Sequence, residues 1–450
     1  MQKLNVSVIG LGKLGMPIAG CIARRGFTTI GTDIDQEKVA ALNGKSCPLF
    51  EPGLEALLTD ARHNLRGSPS VVEAIKETDL SLIIVPTPSN PDGGFSLRYV
   101  ENCLTEVGKA LREKKAFHVV ALVSTVMPGS MERQLKPFLE KCSGKTCGVD
   151  FGFCYNPEFV ALGSVIRDFL NPPFILIGES DPQAGKRLAQ FYETVCENKP
   201  PIARMNWVSA EITKLSLNAF VTTKISFANM LTRLCDRVPG ADIDKITTAL
   251  GFDKRISPHY LSGGTSFGGP CFPRDNVAMS TFATLLGETA PISEATHRFN
   301  HAYVEWLAEK ANSFAGATGR VGILGIAYKP GTDVVEQACG LLLARQLVSQ
   351  GVTVSTYDPI AMDGARHQLG AAVEFARTAR ECIDKSDVVV VTTQAPEFTQ
   401  MKLIDFARRP ARHVIDCWRI YRLQAQNPGV IYVGLGCGLA TAEADWAKAA

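Results

Sequence analysis

The first two hundred residues alternate short β-branched apolar runs with segments whose apolar positions recur at helical spacing. Strands are predicted at 6–10, 28–33, 80–85, 118–123, 152–155 and 175–178, with amphipathic helices between them. That alternation is the signature of a doubly wound parallel sheet. From about Trp207 the strands stop. One helical pattern runs to about Val238, and shorter helices follow to about Phe314. A helix of roughly thirty residues spans about 45 Å, longer than a small domain needs, so dimerisation along it is expected. After Gly316 strands return at 320–326, 352–357, 388–392 and 414–417, with a helix near 341–349. VSVIGLG…TTIGTDID in the first half parallels VGILGIA…TVSTYDP in the second, a weak internal repeat.

The expected fold class is thus α/β, with two doubly wound lobes joined by a central all-helical domain that carries one long helix. The boundaries fall at 1–200, 201–314 and 315–450. A chain of 450 residues is long enough for two or three domains. The net charge of +2 without a basic run argues against nucleic acid as a partner. No apolar stretch reaches the length of a membrane span, and MQKLNVSVIG lacks a basic leader and cleavage site, so a cytoplasmic protein is expected. The Ala-rich tail after Trp446 is expected to fray.

Thirteen cysteines in a long chain, odd in number and without a CxxC pair, predict neither a disulfide framework nor a zinc site. No metal is expected. Cys21, Cys103, Cys235 and Cys339 sit in apolar patterns and read as small core residues.

Gly10, Gly12 and Gly15 form G-x-G-x-x-G between a strand and a helix, and Asp33 ends the next strand 23 residues after Gly10. The first glycine permits the tight turn, the second lets a pyrophosphate approach, and the third lets helix pack on strand. A carboxylate at Asp33 can hold both ribose hydroxyls and would repel a 2′-phosphate, so NAD is expected over NADP. A merely structural glycine turn is the bland alternative. These features make the lobes Rossmann-like. The second lobe lacks the third glycine of the fingerprint, which implies a different nucleotide there, or none.

GGTSFGGPCFPRD, residues 263–275, predicts a flexible or tightly turned loop leading into a helix at Pro273. Cys271 would lie near that helix N-terminus, where the dipole favours thiolate, and Asp275 would follow one turn on. A buried cysteine after a turn is the alternative. Lys214 and Asn218 stand four apart on the long helix, and Thr222 and Ser226 extend their stripe. Embedded among apolar neighbours, they point to a pocket rather than a solvated face. Thr87, Thr125 and Glu158 each follow a strand, where ligands of open α/β sheets bind.

With these residues assembled, the chain resembles the UDP-glucose/GDP-mannose dehydrogenase family along nearly its whole length. The shared run is GLGKLGMP at 10–17, TDID at 32–35, EPGL at 51–54, VPTP at 85–88 and STVMPG at 124–129. It continues with YNPEF at 155–159, EITKLSLNAF at 211–220, FGGPCFPRD at 267–275 and GIAYKPGTD at 325–333. The resemblance implies a four-electron oxidation of a nucleotide-sugar C6 alcohol to the carboxylate, through a thiohemiacetal and a thioester on Cys271. It implies oxyanion stabilisation by Lys214 and Asn218, a base or water-positioning role for Asp275, and water handling by Thr125 and Glu158. NAD would be held by Gly10, Gly12, Lys13, Leu14, Gly15, Asp33, Lys38, Thr87 and Thr125. The small-molecule nucleotide sugar would meet Glu158, Phe159, Lys214, Asn218, Tyr260, Gly268, Lys329 and Arg419, with Arg255 reaching into the other subunit of a homodimer.

Three stretches depart from the family pattern: Val160–Gly163 after NPEF, Val334–Ala338 after GTD, and Cys417–Trp418 where Gly-Arg is usual. They bear on sugar and base identity, not on the reacting centre. UDP-glucose is the expected substrate, with GDP-mannose and UDP-N-acetylhexosamines as alternatives. A two-electron β-hydroxyacid dehydrogenase would need neither Cys271 nor the second lobe. An inactive nucleotide-sugar-binding protein would need no Cys271 chemistry.

Overall fold

A computed structural model describes residues 4–44, 47, 49–316, 319–424 and 426–438, and the expectation for the tail after Trp446 lies outside the described residues. The first sheet contains β1 (Val6–Ile9), β2 (Thr29–Thr32), β3 (Leu65–Gly67) and β4 (Leu80–Ile83). It continues through β5 (His118–Leu122), β6 (Phe151–Tyr155), β7 (Ile175–Glu179) and β8 (Ile202–Met205). The spatial order is β3-β2-β1-β4-β5-β6-β7-β8. All neighbours are parallel except β6 and β7. The six strands expected here are present within two residues at each end. The unexpected β3 and β8 lie at the two edges.

Side chains along these strands alternate between two apolar clusters, one on each face. Val6, Val8, Leu80, Leu82, Val119 and Ala121 join Met16, Leu57 and Leu188 on one side. Ile9, Ile83, Val120 and Leu122 join Leu104, Val107 and Leu135 on the other. Covering both faces is what turns strands such as HVVAL into continuous apolar runs.

Between Met205 and Arg320 no strand occurs among the described residues. Helices occupy Trp207–Cys235, Ile243–Gly251, Phe272–Leu285 and Pro291–Ala315. The first of these has 29 residues and the last 25, so the helices that follow the long one are shorter, as expected. None of the described helices is long and apolar enough to cross a membrane. The chain divides between Ser216 and Leu217 into two compact units.

The second sheet contains β9 (Arg320–Leu324), β10 (Thr353–Tyr357), β11 (Glu374–Phe375), β12 (Val388–Val391), β13 (Arg412–Asp416) and β14 (Val430–Gly434). It is wholly parallel, in the order β11-β10-β9-β12-β13-β14. Numbered within its own lobe, that is 3-2-1-4-5-6, the order of β3-β2-β1-β4-β5-β6 and of dinucleotide-binding sheets generally.

Candidate active site

In the first unit, β1, β2, β4, β5 and β6 run parallel, so their carboxyl ends share one edge of the sheet. The turn after β1, the end of β2, VPTP, STVMPG and YNPEF therefore meet there, at the switch point between β1 and β4. Gly10 has φ 100°, and a Cβ there would stand 2.2 Å from the Ile84 carbonyl oxygen. A Cβ at Gly15 would stand 1.7 Å from the Gly10 carbonyl oxygen, so the helix Gly15–Arg24 packs directly on the turn. At Gly12 no atom lies within 4 Å of a Cβ position, leaving the open cradle that a pyrophosphate needs.

The Asp33 carboxylate accepts the Leu11 N–H at 2.6 Å and the Asp35 N–H at 2.9 Å, tying the end of β2 to the glycine turn. A carboxylate offers about four acceptor positions, so capacity for ribose hydroxyls is left. These residues fit NAD. Leu14 is the N-cap of the glycine-turn helix, and Lys38 pairs with Asp35 at 3.3 Å on the surface. Thr87 is buried and donates to the Thr125 carbonyl at 2.7 Å, while Ser124 Oγ donates to the Val85 carbonyl at 2.6 Å. The segments after β4 and β5 are thereby locked together, and Lys13 stands in the turn ahead of the helix.

Glu158 follows β6 and is mostly buried. Burial pushes its carboxyl up to about 7, against the opposing influence of the Tyr192 hydrogen bond and the Lys214 charge. Tyr192 Oη lies 2.9 Å from Glu158 Oε1 and 2.6 Å from Asn156 Oδ1. Lys214 is buried, donates to the Glu158 carbonyl at 2.7 Å, and lies 4.5 Å from the centre of the Phe159 ring. A half-protonated carboxyl beside a fixed ammonium can exchange a proton with water near neutral pH and steady an oxyanion. Glu51, in the EPGL motif, accepts the Gly163 N–H at 2.7 Å and the Val165 N–H at 2.8 Å. It fixes the unusual Val160–Gly163 stretch behind Glu158. No local sequence pattern marks either the Glu51 carboxylate or Tyr192 for this site.

In the second unit, Cys271 is the N-cap residue of the helix Phe272–Leu285, and Pro273 sits in its first turn. Cys271 is the one exposed cysteine among the described residues; Cys21, Cys103, Cys235 and Cys339 are buried, as expected of core thiols. Asp275 is buried one turn on, its N–H bonded to the Cys271 carbonyl at 2.9 Å. Its carboxylate accepts from the Asn218 amide at 2.6 Å and faces Arg274 at 3.4 Å. Asn276 donates to Thr222 Oγ1 at 2.8 Å, so the polar stripe of the long helix meets the cysteine helix. Lys214, Asn218, Thr222 and Ser226 are all buried, whereas Phe220 is exposed. This inverts ordinary helix amphipathy.

The loop 263–269 is buried throughout, which resolves the sequence alternative in favour of a tight turn. A Cβ at Gly268 would stand 2.3 Å from the Gln337 carbonyl oxygen, and Gly269 N–H donates to the Glu336 carbonyl at 2.8 Å. The departure at Val334–Ala338 thus packs on the cysteine loop. Tyr260, with φ 60°, is exposed and meets Phe272 edge-on at 6.4 Å. Arg255 is exposed and paired with Asp253 at 2.6 Å. Lys329 lies half-buried, 6.0 Å from the Tyr328 ring centre.

Arg419 requires a correction. It is buried, and its guanidinium donates to both Asp244 carboxylate oxygens at 2.8 Å. It also donates to the carbonyls of Cys417 and Leu435 at 3.0 Å and of Gly263 at 2.8 Å. A guanidinium has five N–H donors. All are engaged within the chain, so the expected substrate contact gives way to a structural bond.

The chain matches three models of one family: the NAD binding domain over residues 4–196, the central domain over 208–302 and the UDP binding domain over 322–423. It is similar to GDP-mannose 6-dehydrogenase of Pseudomonas syringae pv. tomato, 37% identical over 79% of this chain and 81% of the relative. It is similar to UDP-glucose 6-dehydrogenase of Haloferax volcanii, 32% identical over 93% of this chain and 97% of the relative. Among solved structures, UDP-glucose dehydrogenase from Pyrobaculum islandicum has a TM-score of 0.86 at 34% identity, covering 97% of this chain and 98% of its own. With a cofactor cradle that fits NAD at one sheet edge, the chain belongs to the UDP-glucose/GDP-mannose dehydrogenase family and is an NAD-dependent nucleotide-sugar 6-dehydrogenase.

Proposed function

We propose that the protein oxidises UDP-glucose to UDP-glucuronate through a covalent intermediate on Cys271. The observation that carries this reading is an exposed cysteine at a helix N-terminus, one turn from a buried carboxylate held by Asn218. Bound NAD supplies the hydride acceptor for each of the two oxidations. The C6 alcohol loses a hydride and a proton to give the aldehyde, and the Cys271 sulfur adds to its carbonyl carbon. The thiohemiacetal loses a second hydride and a proton, leaving a thioester. Water, deprotonated by Glu158 with Thr125 orienting it, then displaces the thiolate and releases the acid. Lys214 and Asn218 stabilise the oxyanions, and Asp275 positions water beside the thiol.

On this reading residues 1–200 hold NAD through Gly10, Gly12, Lys13, Leu14, Gly15, Asp33, Lys38, Thr87 and Thr125. Residues 201–314 form the dimerisation domain, and 315–450 hold the nucleotide, with Lys329, Tyr260, Phe159 and Gly268 at the substrate. A homodimer is supported by Phe220, Phe227 and Leu234, exposed at seven-residue spacing on the helix Trp207–Cys235, and would bring Arg255 to the partner's sugar. The high structural similarity to a UDP-glucose dehydrogenase supports UDP-glucose as the substrate. The 37% identical relative favours GDP-mannose as the second reading. The test is NADH yield per sugar with limiting UDP-glucose, GDP-mannose and UDP-N-acetylglucosamine in parallel. Two NADH per UDP-glucose is the expected result. One NADH would remove the thioester, and turnover of another donor would rename the substrate.

A further inference from the structure

The buried loop 263–269 pairs with no strand among the described residues, yet backbone N–H and C=O groups removed from water must find partners. Two side-chain amides supply them. Asn229, on the helix Trp207–Cys235, accepts the Gly264 N–H at 2.9 Å and donates to the Thr265 carbonyl at 2.9 Å. Asn300, on the helix Pro291–Ala315, accepts the Phe267 N–H at 2.8 Å and donates to the Phe267 carbonyl at 2.9 Å. One turn further along that helix, Tyr303 Oη donates to the Gly264 carbonyl at 2.8 Å, and Arg419 holds the Gly263 carbonyl. Asn229, Asn300 and Tyr303 are buried. A primary amide is the one side-chain group that donates and accepts as a peptide does, so each asparagine acts as a surrogate strand residue.

We propose that Asn229 and Asn300 are positioning residues that hold the loop, and with it Cys271, at the distance and angle needed to capture the aldehyde. The inference rests on the proposed nucleophilic role of Cys271. A carboxylate cannot replace either amide, because it has no hydrogen for the Thr265 or Phe267 carbonyl. The first oxidation does not use the thiol, whereas the second does. A displaced Cys271 therefore leaves the aldehyde free to escape, and misplacement by about 1 Å can slow such a step about a hundredfold.

The experiment compares wild type, Asn229→Asp, Asn300→Asp and Tyr303→Phe for NADH per sugar consumed, using the nucleotide sugar that wild type turns over. Thermal unfolding and Cys271 alkylation by iodoacetamide are followed on the same preparations. Both Asp variants are expected to fall from two NADH per sugar towards one and to alter the alkylation rate severalfold. Tyr303→Phe, which removes one bond, should shift both less. Stoichiometry and alkylation that stay at wild-type values, with activity falling only as folded protein is lost, would overturn the inference. Cys271→Ala separates it from the reading beneath: if that variant still makes two NADH, the nucleophile assignment fails, whatever the asparagines do. Should wild type turn over none of the three nucleotide sugars, the alkylation comparison alone decides the positioning claim.

Discussion

In each lobe the first strand ends on a glycine with positive φ, 100° at Gly10 and 109° at Gly325. In each a second glycine lets the next helix rest on that turn. A Cβ would stand 1.7 Å from the Gly10 oxygen at Gly15, and 2.1 Å from the Gly325 oxygen at Gly340. The carboxylates that end the second strands, however, serve different ends. Asp33 takes two backbone N–H groups and is only partly buried. Asp358 is buried and takes four, from Ile326, Ala327, Ile360 and Ala361 at 2.8–3.0 Å. Its acceptor capacity is filled by its own backbone, while that of Asp33 is left for a ligand. The same topology thus carries a carboxylate with acceptor capacity to spare in one lobe and a fully engaged one in the other.

The largest effects should come from the glycines that the two turns share. Gly15→Ala and Gly340→Ala each force a methyl into a carbonyl oxygen, and each should cost about 3 kcal/mol of unfolding free energy in urea. Only Gly15→Ala should weaken NAD binding in the protein that remains folded. An unchanged urea midpoint for Gly340→Ala would break the parallel between the turns.

Gly340 also shows where the sequence was legible and where it was not. Five residues separate Gly10 from Gly15, but fifteen separate Gly325 from Gly340, and Asp358 is displaced by the same ten from the Gly10–Asp33 interval. A fixed-spacing fingerprint finds the first set and misses the second, so the missing third glycine was a matter of spacing. Long apolar runs such as HVVAL and the strand–glycine–helix order were readable, because burial on both faces writes itself into composition. Two-residue β11 and three-residue β3 are too short to show a period, and β14 was missed despite its Val-Ile-Tyr-Val run. The turn and Pro273 place Cys271 at the start of a helix, while only the family resemblance singles it out as the nucleophile. Asn229 and Asn300 were not legible, because an amide that reads a loop 33 or more residues away leaves no local pattern.

The aspartates give the next effect in size. Asp358→Asn turns an acceptor into a donor against buried N–H groups and should destabilise by about 2 kcal/mol, with NAD affinity unchanged. Asp33→Asn should change stability less, yet weaken NAD about tenfold and narrow the preference over NADP. Equal losses of NAD binding in the two variants would show that the second lobe's carboxylate also serves the cofactor.

Carboxyls at strand ends also titrate differently in use. Burial raises both Glu158, to about 7, and Asp416, which accepts from the N–H groups of Trp418 and Tyr421 and from the Tyr432 hydroxyl. A raised carboxyl stabilises the fold fully below its unfolded value, and this contribution is lost as pH rises through the folded value. Glu158→Gln should therefore gain stability relative to wild type between about pH 4.5 and 7. Turnover should rise with pH through about 7 as Glu158 ionises. Tyr192→Phe, which removes a bond that favours the ionised form, should move that limb upward by about one unit. A limb that stays put would take Tyr192, or Glu158 itself, out of the rate-determining ionisation.

The smallest effect tests an ion pair that the first lobe has beyond its strand-end carboxylate and the second lacks. Lys38 pairs with Asp35 at 3.3 Å, whereas Ile360 and Asp363 stand at the matching distances beyond Asp358. A partly exposed pair of this kind contributes little to folding, so Lys38→Met should change stability by less than about 0.5 kcal/mol. If its ammonium reaches the cofactor, KM for NAD should rise severalfold at low salt and return towards wild type at high salt, where such contacts are screened. A KM that is unchanged at low salt would take Lys38 out of the cofactor set, and would leave the acceptor capacity of Asp33 as the feature that separates a cofactor turn from a structural one.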